Sequence, residues 1–203
     1  MKIYESHTAP NPRRVRMFLA EKGITGVEYV QLDIKAGENL QPEHLARNPL
    51  GKVPYLILDN GDCISETLAI CRYFEETHPE PSLMGRTALE KANIEMWQRL
   101  CEFHFFVPVG MCFQHTTGYF ADRMTPVKEW GLESGKNAAE FMSLIDKRLA
   151  EQTYVAGDSF SIADITLLCG VDFARVIKLR MTEEHPNLQR WHQLVSGRES
   201  ARA

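Results

Sequence analysis

Near residue 80 the pattern of the chain changes, and that change limits the folds open to it. Residues 1–78 alternate short strand-like and helix-like runs, whereas from Ala88 onward the long runs repeat apolar residues at helical spacing. Between them lies "HPEPSLMG" (78–85), rich in the proline and glycine that interrupt regular structure. The chain has 203 residues, enough for two small domains each with a core. The expected organisation is an α/β domain over 1–80, a linker over 81–87 and an all-α domain over 88–203.

Local signals fill in the first domain. Lys2 to Glu5 reads as a strand and Pro12 to Lys22 as a helix, with Asn11 as its cap and Gly23 as its stop. Val27 to Leu32 is a second strand, and Pro42 to Arg47 one or two helical turns. Tyr55–Asp59 and Asp62–Ser65 flank Asn60-Gly61, a strong hairpin signal. Ser65 is then placed to cap a helix ending near Thr77. The predicted order is β-α-β-α-β-β-α. In the second domain, Leu89, Ala92, Met96, Trp97 and Leu100 fall on one helical face, as do Phe141, Leu144, Ile145 and Leu149. Leu188, Trp191 and Leu194 mark a last short helix.

Composition narrows the function. The net charge of −4 leaves no basic footprint for nucleic acid. The one basic cluster, Arg13, Arg14 and Arg16, reads as a solvated helix face. Five cysteines, an odd number without CxxC spacing, argue against a disulfide scaffold or a zinc site. They suit a reducing, cytoplasmic location, and the opening strand pattern shows no signal peptide. The most apolar stretch, Phe103 to Phe113, is interrupted by His104, Pro108 and Gly110 and is too short to span a membrane.

Several motifs have both a structural and a chemical reading. In "NPLGKVPYL" (48–56), Pro54 suits the start of a strand. A cis Val53–Pro54 bond would instead turn Val53 outward, freeing its N–H and C=O to pair with a ligand backbone as an added strand does. In "ISETLAI" (64–70), Ser65 and Glu66 suit a helix N-terminus. The same pair could hold the carboxylate and ammonium of an α-amino acid. In "VAGDSFSIADITLL" (155–168), Ser161 and Asp164 have capping-box spacing, and Phe160 and Ile165 fit a hydrophobic staple. That motif is a stability signal. In "FHFFVPVGMCFQHTTGYF" (103–120), Pro108 should disturb the helix. Phe106, Met111, Phe113 and Tyr119 are either core or the lining of an apolar pocket, and His115 is the polar residue of interest.

These motifs in this order, together with "PNPRRVRMFLAEKGI" and "HPNLQRWHQLVSGRES", resemble the cytosolic glutathione S-transferases over nearly the whole chain. The resemblance implies a thioredoxin-like N-terminal domain, an all-α C-terminal domain and usually a homodimer, with the interface expected between one subunit's first domain and the other's long helices near residues 88–104. It also implies glutathione as cosubstrate, a small hydrophobic electrophile and detoxifying conjugation. In the family the residue matching Val53, before a cis residue matching Pro54, pairs with the cysteinyl backbone of glutathione. Those matching Ser65 and Glu66 hold its γ-glutamyl end, and one like Lys52 approaches the glycyl end. The departure is at Ala9, where serine- and cysteine-type members keep their active residue. The pattern is closer to bacterial and fungal members that lack it. In one bacterial group an asparagine matching Asn11 contacts the sulfur. In some fungal members a water held by a polar pair on the long helix does so; here Gly110, with no side chain, and Gln114 occupy roughly those positions, and the neighbouring His115 could substitute.

The chemistry left to such a site is thiol activation. A thiol of pKa about 8.5 is only about 3% ionised at pH 7. Lowering it two units takes about 2.7 kcal/mol. A helix N-terminus supplies about 0.3–1 kcal/mol, and one hydrogen bond to a charged acceptor about 1.5–3 kcal/mol. One donor is therefore required besides the helix. Asn11 is the first candidate, followed by Thr8 and Ser6, with Arg13 a weaker electrostatic option. The alternatives are glutathione-dependent disulfide or peroxide reduction, needing a second glutathione, and a non-catalytic ligand-binding protein on the same fold.

Overall fold

The computed structural model describes residues 1–203. The chain separates into two compact units, Met1–Ser82 with Arg202–Ala203, and Leu83–Ala201. No helix is long and apolar enough to cross a membrane.

The first unit is built on a four-stranded sheet of β1 (Lys2–Glu5), β2 (Glu28–Gln31), β3 (Tyr55–Ile57) and β4 (Cys63–Ser65), in the order β2-β1-β3-β4. β1 and β2 are parallel and joined by helix α1 (Pro10–Glu21); the other pairs are antiparallel. A short helix α2 (Pro42–Leu45) follows a 3-10 turn at Glu38–Leu40, and α3 (Thr67–Thr77) follows β4. The predicted order of strands and helices is present. Val15, Phe18 and Leu19 of α1 and Ile70 and Phe74 of α3 are buried with Ile3 and Leu56 of the sheet. Lys22, just after α1, is buried and satisfied by three acceptors: the carboxylate of Glu75 at 2.7 Å and the carbonyls of His78 at 2.7 Å and Pro81 at 2.9 Å. It ties the end of α1 to the end of α3.

Two caps differ from expectation. Helix α1 begins at Pro10, with Ala9 at the cap position and no side-chain cap bond, so Asn11 lies inside the first turn. The two prolines explain the shift, because Pro10 has its φ preset for the first helical position, where no N–H is needed. Ser65 ends β4 rather than capping α3; Glu66 takes the cap position with φ 71° and ψ 124°, and no side-chain cap bond forms. Ser65 is held by its strand pairing opposite Tyr55, which leaves the chain to turn at the next residue.

The second unit contains α4 (Ala88–Cys101), α5 (Val107–Thr116), α6 (Lys128–Glu151), α7 (Ile162–Phe173) and α8 (Pro186–Ser196). Helix α7 is its centre: every residue from Ile162 to Val171 is buried. Its N-terminus carries the expected capping box. Ser161 Oγ accepts from the Ala163 N–H at 3.3 Å, and the Asp164 carboxylate accepts from the Ser161 N–H at 3.0 Å. The staple residues Phe160 and Ile165 are both buried. A second capping box, Thr87 with Glu90, starts α4. Between α4 and α5 the helix widens to a π turn at Glu102–Phe106, directly before Pro108. The missing proline N–H and the ring make a regular helical turn unfavourable there.

Close helix contacts depend on small residues. A Cβ on Gly131 of α6 would stand 2.8 Å from His115 Cβ and Thr116 Cγ2 of α5, and one on Gly170 of α7 would stand 3.0 Å from the Phe105 ring. The expected stripe on α4 does not face the core. Leu89 is 80% exposed and Met96 49%, while Gln98 and Cys101 are buried instead. Helix α4 carries two apolar stripes, and its packing against α7 buries the one leading to Cys101 and Phe105. Leu144 and Leu194 are likewise half exposed, with Ile145 and Val195 turned inward.

Candidate functional site

Sheet register brings three of the singled-out segments to one end. Tyr4 lies opposite Tyr55, and Tyr55 opposite Ser65, with both pairs antiparallel. The turn after β1, the Val53–Pro54 step before β3 and the Glu66 turn after β4 therefore emerge side by side.

The turn after β1 is held by a closed ring of side chains. Arg16 Nη1 donates to Glu5 Oε2 at 2.6 Å, and its Nη2 donates to the His7 carbonyl at 2.9 Å. Gln31 Nε2 donates to Glu5 Oε1 at 2.7 Å, and Gln31 Oε1 accepts from the His7 N–H at 2.8 Å. Glu5 is 1% exposed and Arg16 8%. The arginine cluster is thus not a solvated face: Arg14 is also buried, at 2%. The physical reason is a buried carboxylate on β1 that needs a cation.

The donors at this turn are few. Pro10 and Pro12 have no N–H, so among the first three positions of α1 only Asn11 offers a main-chain donor. Its side chain is oriented as well, since Asn11 Oδ1 accepts from Arg14 Nη1 at 3.1 Å. The Asn11 NH2 group is left facing away from Arg14. Thr8 is exposed and Ser6 half-buried, while Ala9 itself donates only its N–H, to the Ser6 carbonyl at 3.0 Å. Tyr4 is set aside, because its hydroxyl accepts from Arg47 at 3.0 Å and its ring stacks on Tyr55 at 4.6 Å.

The second segment is a pinned loop. The Val53–Pro54 bond is cis, the second of the two readings of that motif. Asn39 Nδ2 donates to the Gly51 carbonyl at 2.6 Å, and Asn48 Nδ2 to the Lys52 carbonyl at 2.8 Å. Gly51 has φ +58°, and a Cβ there would stand 2.7 Å from Leu40 Cδ2. Neither the N–H nor the C=O of Val53 is engaged by the rest of the chain. Lys52 is exposed beside it.

The third segment is the N-terminus of α3. Glu66 is a non-glycine residue at positive φ, a conformation that costs about 1–3 kcal/mol and persists only where the surroundings hold it. Its carboxylate is exposed, and the first main-chain amides of α3 carry no side-chain cap. Together they offer an anion site beside a cation acceptor.

His115 belongs to the helical unit. Its Nδ1 accepts from the Val127 N–H at 3.0 Å, so the neutral ring carries its proton on Nε2. Gly110 and Gln114 are half-buried on the same helix. The four apolar residues proposed as one pocket separate. Phe106 is buried; Met111 lines a groove of about 450 Å³ with Phe103 and Trp130; Phe113 and Tyr119 pack with Phe120 and Phe173.

Sequence reasoning missed Glu5, Gln31, Asn39 and Asn48, and misread Arg14 and Arg16. The asparagines sit in a Gly/Pro loop, where side-chain amides commonly replace backbone partners, and that signal was available.

Comparison with known proteins gives the family. Residues 3–82 match the family model for the glutathione S-transferase N-terminal domain, and residues 112–199 that for the C-terminal domain. Glutathione S-transferase 2 of Saccharomyces cerevisiae is 40% identical over 205 residues, covering 100% of this chain and 88% of that protein. The crystal structure of Gtt2 from Saccharomyces cerevisiae superposes with a TM-score of 0.96 at 40% identity, covering 100% of this chain and 99% of that one. A probable elongation factor 1-gamma 1 of Arabidopsis thaliana is 30% identical over 185 residues, covering 87% of this chain but 44% of the factor. With both domain models matched and the likeness running the full length, the chain belongs to the glutathione S-transferase family, whose cosubstrate is glutathione.

Proposed function

We propose that this protein binds glutathione at the shared end of β1, β3 and β4 and transfers its sulfur to small apolar electrophiles. The observation that carries the reading is the convergence there of a free main-chain pair at Val53, the uncapped α3 N-terminus at Glu66 and the Asn11 donors. Val53 pairs with the cysteinyl backbone, with Pro54 setting its direction. The α3 amides and Ser65 take the γ-glutamyl carboxylate, and Glu66 takes its ammonium. Lys52 faces the glycyl carboxylate. At the sulfur, the Asn11 N–H and NH2 favour the thiolate, with Thr8 the nearest further hydroxyl. His115 is a neutral Nε2–H donor in the helical unit. The thiolate attacks the electrophilic carbon, a C–S bond forms, and the leaving group departs with its electron pair. An exposed stripe on and after α4, at Leu89, Met96 and Phe103, supports the homodimer.

The test is calorimetric titration with glutathione, combined with turnover of an aromatic halide. Binding with conjugation is expected. No heat at saturating glutathione would remove the proposal. Ala9 and the likeness to an elongation factor favour a second reading, a binding protein without catalysis. Binding without turnover of halide or disulfide is the result that reading predicts.

A further inference from the structure

We propose that Arg14 is a positioning residue that decides which end of the Asn11 carboxamide faces the sulfur. The inference rests on the reading of this turn as the sulfur site.

A carboxamide presents two ends of nearly equal size, one a hydrogen-bond acceptor and the other a donor. Turned the wrong way, Asn11 would aim its oxygen at a thiolate and repel it. Nothing in the size of the side chain prevents that. Arg14 prevents it chemically. A guanidinium has five donors, no acceptor and a permanent charge, so only the oxygen of Asn11 can face it. The observed contact is Arg14 Nη1 to Asn11 Oδ1 at 3.1 Å, between residues three apart on α1.

Burial strengthens the effect. Arg14 is 2% exposed, so its guanidinium is not free to swing into water. A charge-assisted bond to the oxygen also polarises the amide and makes its NH2 a better donor. Pro10 and Pro12 flank Asn11, so this residue supplies both the main-chain and the side-chain donor of the helix start. Losing the orientation of one side chain therefore removes a large part of the local donor set.

The experiment measures the thiol pKa of bound glutathione, from thiolate ultraviolet absorbance against pH. The proteins are wild type, Arg14→Met, Arg14→Lys, Asn11→Ala and the double variant Asn11→Ala with Arg14→Met. Arg14→Met should raise the thiol pKa by about one unit, a roughly tenfold loss of thiolate below that pKa. Affinity for S-methylglutathione, which has no thiol, should not change. Arg14→Lys should restore part of the shift, because it keeps a donor for the oxygen. In the Asn11→Ala background Arg14→Met should add nothing. An equal shift in that background would show that the guanidinium acts on sulfur directly and would overturn the proposal, as would no shift in Arg14→Met.

A readout in wild type covers the case in which Arg14→Met does not fold. The Asn11 NH2 proton resonances should move when glutathione is added and stay in place with S-methylglutathione. Unmoved resonances with glutathione bound overturn the Asn11 contact with sulfur and with it the positioning role, whereas absence of any binding overturns the reading of the protein as a glutathione-binding one.

Discussion

Replacing Glu66 separates what its backbone costs from what its side chain holds. Glu66 sits at φ 71°, where a Cβ is strained by about 1–3 kcal/mol. Glu66→Gly removes that strain but loosens the unfolded chain by about 0.4–1 kcal/mol. The expected net is a gain of about 1 kcal/mol, a rise in Tm of about 2–4 °C for a chain of this size. Glu66→Ala keeps the strained backbone and should leave Tm near wild type. Both variants lose the carboxylate proposed to hold the glutathione ammonium. A hydrogen bond between charged groups contributes about 1.5–3 kcal/mol, which is about 10–150-fold in Kd. The exposure of Glu66 puts the loss near the lower end, about tenfold. Thermal unfolding and calorimetric titration read the two effects independently. The expected pattern is one variant more stable and both weaker in binding. Equal Tm in the two variants would refute the strain argument, and wild-type affinity in both would refute the ammonium contact.

Further outcomes follow from packing and charge. Gly131→Ala gains about 1 kcal/mol of helix propensity, but its Cβ would stand 2.8 Å from His115 Cβ, and overpacking costs about 1–3 kcal/mol. A lowered denaturant midpoint is expected, whereas Gly110→Ala, with nothing within 4 Å of its Cβ, should raise it. Lys22→Met strips the cation from buried Glu75 and should cost about 3–5 kcal/mol in equilibrium unfolding; a loss under 1 kcal/mol would contradict the buried-pair argument. Burial pushes the Asp164 carboxyl up to about 6 from an ordinary 3.8, against donors from Val155, Trp191 and Ser161 that pull it down. The folded state then holds its proton more tightly than the unfolded chain. Its contribution to stability, about 3 kcal/mol, is full below pH 4 and is lost as pH rises through about 6. Urea titrations across that range should show the slope in wild type and not in Asp164→Asn.

Much of the fold was legible because it depends on neighbours in the chain. The strand at Lys2–Glu5, the end of α3 at Thr77 and the Ser161–Asp164 capping box each appear where local preference put them. Helix starts were less legible. Asn11 and Ser65 are both good caps by type, yet Pro10 began one helix early and strand pairing held Ser65 out of the other. The apolar stripe at Leu89 and Met96 had the right period, but period alone does not say which of two stripes meets a partner.

By itself the sequence determined the division near residue 80, the alternation of strands and helices before it, and the absence of a side-chain nucleophile at Ala9. Each depends on residue type and on spacing of a few positions, where backbone preference and periodicity act. Only the tertiary structure decided that Arg14 and Arg16 are buried and that Gln31 and Glu5 lock the turn beside Asn11. It also decided that Val53, Glu66 and Asn11 share one end of the sheet. Those facts depend on groups up to 55 positions apart, from Asn11 to Glu66, meeting across paired strands. No window of local sequence contains both partners, so desolvation and charge pairing between them are settled only when the sheet closes.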